Sequence, residues 1–173
     1  MLPIPTHLKS ILIVDKNDYD ENNIKGMIQC TCGCKNIKLK IYAEEHNDYI
    51  SVNEYKGDYG FRIVGLCTSC KKTFEIFDMA KHGYNGFVCN DGKSVEDIDL
   101  KKYSCSDCKN DTFEVEVGIE LEDQEQFNEE IVNENPDEFK SEDYVDAFDW
   151  ITISLKCSNC GRVIKDWVNF ETA

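Results

Sequence analysis

A mainly β fold with short helices, arranged as two small units of like design, is what this 173-residue sequence predicts. Three observations carry that prediction. Apolar and polar residues alternate over short runs, as in Phe113-Glu-Val-Glu-Val117, the period of a half-buried strand. Four cysteine-bearing turns stand next to such runs: Cys30-Thr-Cys32-Gly-Cys34, Cys67-Thr-Ser-Cys70, Cys105-Ser-Asp-Cys108 and Cys157-Ser-Asn-Cys160. Aligning the second and fourth turns superposes Phe61 on Ile151, Ile63 on Ile153 and Phe74 on Ile164, so the inward positions repeat and an internal duplication is expected.

Residues 1–24 read as a lead-in. Pro3 and Pro5 keep its start extended, and the apolar run Leu8 to Val14 fits either a buried strand or one helical turn. Asp15 to Asn23 reads as a polar, turn-rich connection. The first unit covers 25–89: after the Cys30–Cys34 turn, Ile37, Leu39 and Ile41 alternate with lysines as a strand. A polar stretch from Glu44 to Tyr59 follows, with Tyr49 to Val52 a candidate extra strand. Phe61 to Leu66 then leads into Cys67, and Thr73 to Phe77 leads away from Cys70. Asp78 is placed to cap one helical turn over 79–82 that Gly83 ends.

Residues 90–102 have the Asn, Asp and Gly content of a linker. The second unit, 103–173, repeats the order: strand from Phe113, strand Trp150 to Leu155, strand Val163 to Val168. It also carries an insertion, 120–146, with twelve acidic residues and one lysine, a net charge of −11. Leu121, Phe127, Ile131 and Val132 stand at helical spacing within it, so one or two short helices with an apolar stripe and an outward acidic face are expected.

Ten cysteines need an explanation. In a reducing compartment, paired Cys-x-x-Cys turns read as metal ligands rather than as a disulfide framework. Tetrahedral zinc takes four thiolates converging on one point, and a two-residue gap lets one turn present two of them. Iron with four thiolates has the same ligand requirement. The second site is then Cys105, Cys108, Cys157 and Cys160. The first takes Cys67 and Cys70 plus two of the three cysteines in its opening turn. Phe113 lies five residues after Cys108 and Ile37 five after Cys32, which favours Cys30 with Cys32 over the more usual spacing of Cys30 with Cys34. Cys34 and Cys89 are left over and are expected to act as small buried hydrophobes. His82 is read as part of a turn or surface loop before a ligand, and His7 and His46 have no partner pattern.

The paired turns resemble the zinc-ribbon family over about residues 26–77 and 103–168. The Cys-x-x-Cys-Gly form at Cys157–Gly161 matches the family's knuckle, and the Cys-x-Cys-Gly form at Cys30 departs from it. The layout is similar to small bacterial proteins with two such ribbons. The resemblance implies two zinc ribbons, each a β-hairpin plus a third strand, holding one structural Zn2+ apiece; ribbons serve many unrelated roles.

Charge and motifs then narrow the function classes. The formal net charge is −15, and four thiolates around each of two zinc ions would bring it to about −19. Such a chain repels phosphate backbones. A nucleic-acid or transcription role therefore rests on family analogy alone, and Lys38, Lys40, Lys71 and Lys72 read as solvated strand faces. Catalysis is not expected: redox chemistry needs a free low-pKa dithiol, whereas every pair here has a metal partner, and no Ser-His-Asp set, phosphate loop or His-Glu-x-x-His is present. The expectation is a protein-binding module, in a sharper form an immunity or antitoxin type of inhibitor that meets a basic partner through its acidic face, with the loop His82 to Phe87 as a second contact surface. No run reaches the roughly 20 apolar residues of a membrane span, and the start lacks the pattern of a secretory signal, so a cytoplasmic location is expected.

Overall fold

Alternation along the chain becomes one curled antiparallel sheet of nine strands. The computed structural model describes residues 2–20, 22–54, 59–90 and 92–173; residues 55–58 of the polar stretch and Asp91 of the linker lie outside it. Strands β3 (Ile37–Tyr42), β6 (Arg62–Cys67) and β7 (Thr73–Asp78) follow the first two cysteine turns. Strands β9 (Thr112–Glu120), β10 (Trp150–Cys157) and β11 (Val163–Glu171) follow the last two. Each odd-even pattern buries one face: Phe113, Val115 and Val117 of β9 and Ile151 and Ile153 of β10 are fully buried in a common core with Ile37 and Ile63. Burying each such side chain stabilises by roughly 1.5–3 kcal/mol before entropy is charged against it.

The two three-stranded sets share pairing rules. Ile37 faces Cys67 across β3 and β6, as Phe113 faces Cys157 across β9 and β10. Gly65 pairs with Phe74 as Leu155 pairs with Ile164, and in both sets the register shifts at the same place, after Ile63 and after Ile153. The sets join directly, because Ile37 pairs with Phe113 and Lys38 with Thr112 across β3 and β9.

Beyond that join, β9 takes a different neighbour. Its residues 116–120 pair with β2 (Asn23–Ile28), which pairs in turn with β1 (Leu12–Tyr19). The segment read as a polar connection is thus largely a hairpin. Of the Leu8–Val14 run, left open between a buried strand and one helical turn, Leu8 closes a 3-10 turn that begins at Thr6, and Leu12 to Val14 begin β1. Gly26 hides β2 from the pattern, and the fold needs it there: a Cβ at Gly26 would sit 2.6 Å from the carbonyl oxygen of Ile13 on β1.

Shorter elements fill the connections. β4 (Glu44–Glu45) and β5 (Ile50–Ser51) form a separate small hairpin. The linker carries a 3-10 turn at Asp97–Asp99 and β8 (Lys101–Lys102), which pairs with β3. Arg62 pins it, donating to the Val95 carbonyl at 2.8 Å and to Asp97 at 2.7 Å. Asp78 caps its turn through the Ala80 N–H at 3.0 Å, and Gly83, at a φ of 73°, separates that turn from a turn of π-helix at Tyr84–Cys89. The acidic insertion holds α1 (Gln124–Phe127), continuing as π-helix through Val132, and a 3-10 turn at Ser141–Val145. Phe127, Ile131 and Ala147 make a second small core with Tyr84, Phe87 and Val88. The insertion and the His82–Phe87 loop, read as two contact surfaces, therefore pack on each other. No helix among the described residues is long and apolar enough to cross a membrane.

Candidate metal centres

The cysteine turns are shaped by their own backbones. In three of them the residue after the second cysteine donates its N–H back to the carbonyl of the first: Lys71 to Cys67 at 3.1 Å, Lys109 to Cys105 at 2.9 Å and Gly161 to Cys157 at 3.0 Å. In the opening turn Gly33 donates to Cys30 at 2.7 Å, one residue sooner. All four of these residues have positive φ: 89° at Gly33, 63° at Lys71, 61° at Lys109 and 74° at Gly161. Glycine takes that conformation freely, whereas a lysine there costs about 1–2 kcal/mol. The surrounding fold imposes it on Lys71 and Lys109.

These turns bring two sets of four sulfurs together. Cys30, Cys32, Cys67 and Cys70 have all their sulfurs within 4.8 Å of one another, and so do Cys105, Cys108, Cys157 and Cys160. In the first set Cys30 lies 3.5 Å from Cys70 and Cys32 lies 3.5 Å from Cys67. In the second, Cys105 lies 3.7 Å from Cys160 and Cys108 lies 3.5 Å from Cys157. A disulfide needs about 2.05 Å. Four sulfurs at about 2.3 Å around a tetrahedral ion stand about 3.8 Å apart. The spacing is that of a metal shell, and all ten cysteines are free. Each set therefore fits one metal ion, of a kind that thiolates favour.

Without a cation, four neighbouring thiols cannot all ionise, and their proton affinities split accordingly. The Cys32 N–H aimed at Cys30 leads a set of contacts that hold the Cys30 thiol down at about 7. Burial raises Cys157, but the N–H groups of Cys160 and Asn159 and the Asn110 amide outweigh it and bring the thiol to about 6. Cys32 and Cys160 feel a backbone N–H that pulls down, yet their sister sulfurs push both up to about 12. A bound dication removes that conflict and releases the protons.

Cys34 lies outside the first set. It occupies the place after the positive-φ glycine, where its carbonyl accepts the Cys30 N–H at 2.9 Å and closes the turn. Neither leftover cysteine is a buried hydrophobe: Cys34 is half-buried, and Cys89 is exposed beside Asn85. His82 is in neither set. Its Nδ1 accepts the Asp78 N–H at 2.9 Å, and its ring stacks on His7 with centroids 3.6 Å apart. His46 stacks on Tyr49 and meets the Ser51 hydroxyl at 3.1 Å. Sequence reasoning missed the His7–His82 stack, whose two members lie 75 positions apart with no motif between them.

Comparison with known proteins returns no match: no family model, no curated protein and no solved structure matches the chain. The metal centres accordingly stand on the chain's own geometry.

Proposed function

We propose that this chain is a non-catalytic protein-binding module whose two four-cysteine sites hold structural zinc and whose acidic insertion docks on a basic protein. The observation that carries this reading is the closure of both clusters. Four protein sulfurs complete a tetrahedral shell and leave no position for water or substrate, the arrangement of a structural rather than a catalytic ion. On this reading the two three-stranded sets are copies of one zinc ribbon, supported by their matching register and their four alike knuckles. Ten free thiols suit a reducing, cytoplasmic setting.

Charge distribution supports the partner. Lys25, Lys38, Arg62, Lys81, Lys102, Lys156 and Arg162 each pair with carboxylates outside the insertion. Glu125, Glu129, Glu130, Glu134, Asp137 and Glu138 are exposed, and no ion pair among the described residues neutralises them. An acidic face of this kind steers a basic partner and hastens association at low salt. Its sharper form is an inhibitor of the immunity or antitoxin type that covers a basic nuclease.

Affinity capture from the native host tests the reading, comparing the wild type with the triple variant Glu129→Lys, Glu130→Lys, Glu134→Lys. The wild type should retain a basic protein in a salt-sensitive complex, and the variant, still metal-bound, should lose it. Recovery of nucleic acid alone, or capture indifferent to the charge reversal, would contradict the proposal.

A further inference from the structure

The two clusters differ at one place outside their sulfur shells. In the second, Asn110 stands two residues beyond Cys108, and its side-chain amide donates to the Thr112 carbonyl at 2.8 Å, to the Ser158 hydroxyl at 3.2 Å and to the Cys157 sulfur at 3.6 Å. In the first, the residue two beyond Cys32 is Cys34. Its thiol meets the Asn36 carbonyl at 3.5 Å and the hydroxyl of Thr68, the residue after Cys67, at 3.4 Å. The surroundings match as well. The Thr68 hydroxyl donates to Asn36 at 2.9 Å, as the Ser158 hydroxyl donates to Thr112 at 2.9 Å. Cys34 thus takes the position of an amide that supports a buried ligand sulfur, and puts there a fifth thiol that is only half-buried.

An amide and a thiol support a ligand differently. The amide is a firm donor and chemically inert, whereas the thiol is a weak donor and can be oxidised. Groups behind a ligand commonly carry 10–100-fold of metal affinity, so this one exchange is enough to make the two centres unequal.

We propose that Cys34 is an oxidation-sensing thiol of the first centre: a peroxide converts it to the sulfenic acid, Cys67 closes a disulfide with it, and that centre gives up its metal while the second keeps its own. In the first step the peroxide O–O bond breaks, one oxygen is transferred to the Cys34 sulfur and water leaves. In the second, the Cys67 sulfur attacks the Cys34 sulfur, the S–O bond breaks, and the departing hydroxide takes a proton from solvent to become water. One peroxide is reduced to two waters, and two cysteine sulfurs are oxidised to one disulfide. The first shell is left with three sulfurs, too few for a closed tetrahedral site.

This inference rests on the metal reading above, and the test separates the two. The purified full chain, its metal content first measured, is treated with one equivalent of hydrogen peroxide. Metal release is followed with a coloured chelator, and the oxidised cysteines are mapped by mass spectrometry. Expected is loss of one metal equivalent on the order of tenfold faster than the other, with a Cys34–Cys67 disulfide in the released fraction. Cys34→Asn, which installs the second centre's residue, should slow the fast phase to the rate of the slow one, and Asn110→Cys should make both phases fast. The disulfide map needs only the wild type, so it stands even where a variant folds poorly. A chain that carries no metal overturns both readings. A chain that carries two ions but releases them at equal rates, or forms disulfides that leave out Cys34, overturns this inference alone.

Discussion

His7 and His82 stack, partly buried, beside Phe77 and Phe148, and burial is the first cause that lowers both from the usual 6.5, His7 to about 3 and His82 to about 4. Their mutual repulsion adds to this for His7, while Asp146 opposes it; around His82, Asp78 raises the value and Lys81 and Arg62 lower it. A depressed folded value means that the pair's contribution to stability is complete above about pH 6.5 and is lost as pH falls through 4 and 3. Glu122 works the other way: burial and then Asp149 raise it to about 7, so its contribution is present in acid and fades as pH rises through neutrality. Replacing His7 by Phe should flatten the fall in melting temperature between pH 6.5 and 4, measured against the wild type at equal metal loading. An unchanged slope would contradict the buried-pair account. Neither histidine announces this role in the sequence, because stacking pairs residues by tertiary position. The choice of Cys32 over Cys34, by contrast, was legible from the five-residue spacing to Ile37. The positive φ of Gly33, shared with Lys71, Lys109 and Gly161, gives the physical reason for that spacing.

At the scale of elements, local chemistry shows through where it acts locally. β3, β6, β9 and β10 alternate cleanly because each has one buried face. The hairpin of β1 and β2 was hidden because Gly26 breaks the alternation to let two backbones meet. Within the acidic insertion, Asp123 caps α1 by accepting the Gln126 N–H at 2.9 Å. Helices this short do not persist alone. They hold through Phe127 and Ile131, which pack with Phe87 and Phe139; the Phe87 and Phe139 rings meet edge-on at 5.8 Å. Phe127→Ala should remove about 3–5 kcal/mol of the packing that holds the insertion. Hydrogen exchange should then show residues 124–147 losing protection while β9 and β10 keep theirs. Undiminished protection over 124–147 would mean that the insertion is held by something other than this cluster.

On the scale of the whole molecule, the sheet is continuous through β9, whose one edge serves β3 near Phe113 and β2 near Ile119. The order of strands within each three-stranded set was readable from the sequence; the join was not, since pairing between distant segments leaves no trace in local periodicity. Both centres sit where paired strands begin and end, Ile37 against Cys67 and Phe113 against Cys157, so each ion would tie the ends of a hairpin to the turn that opens the next strand. Metal binding and folding are then one event, and chelation should unfold the sheet. Native mass spectrometry of the purified chain tests this account most directly, because the mass distinguishes zinc, iron and disulfides in one reading. The expected mass is that of the chain plus two divalent metal ions, less the protons that eight coordinating thiols release. A metal-free mass, with its cysteines intact or lighter by the hydrogens lost to disulfides, would contradict it.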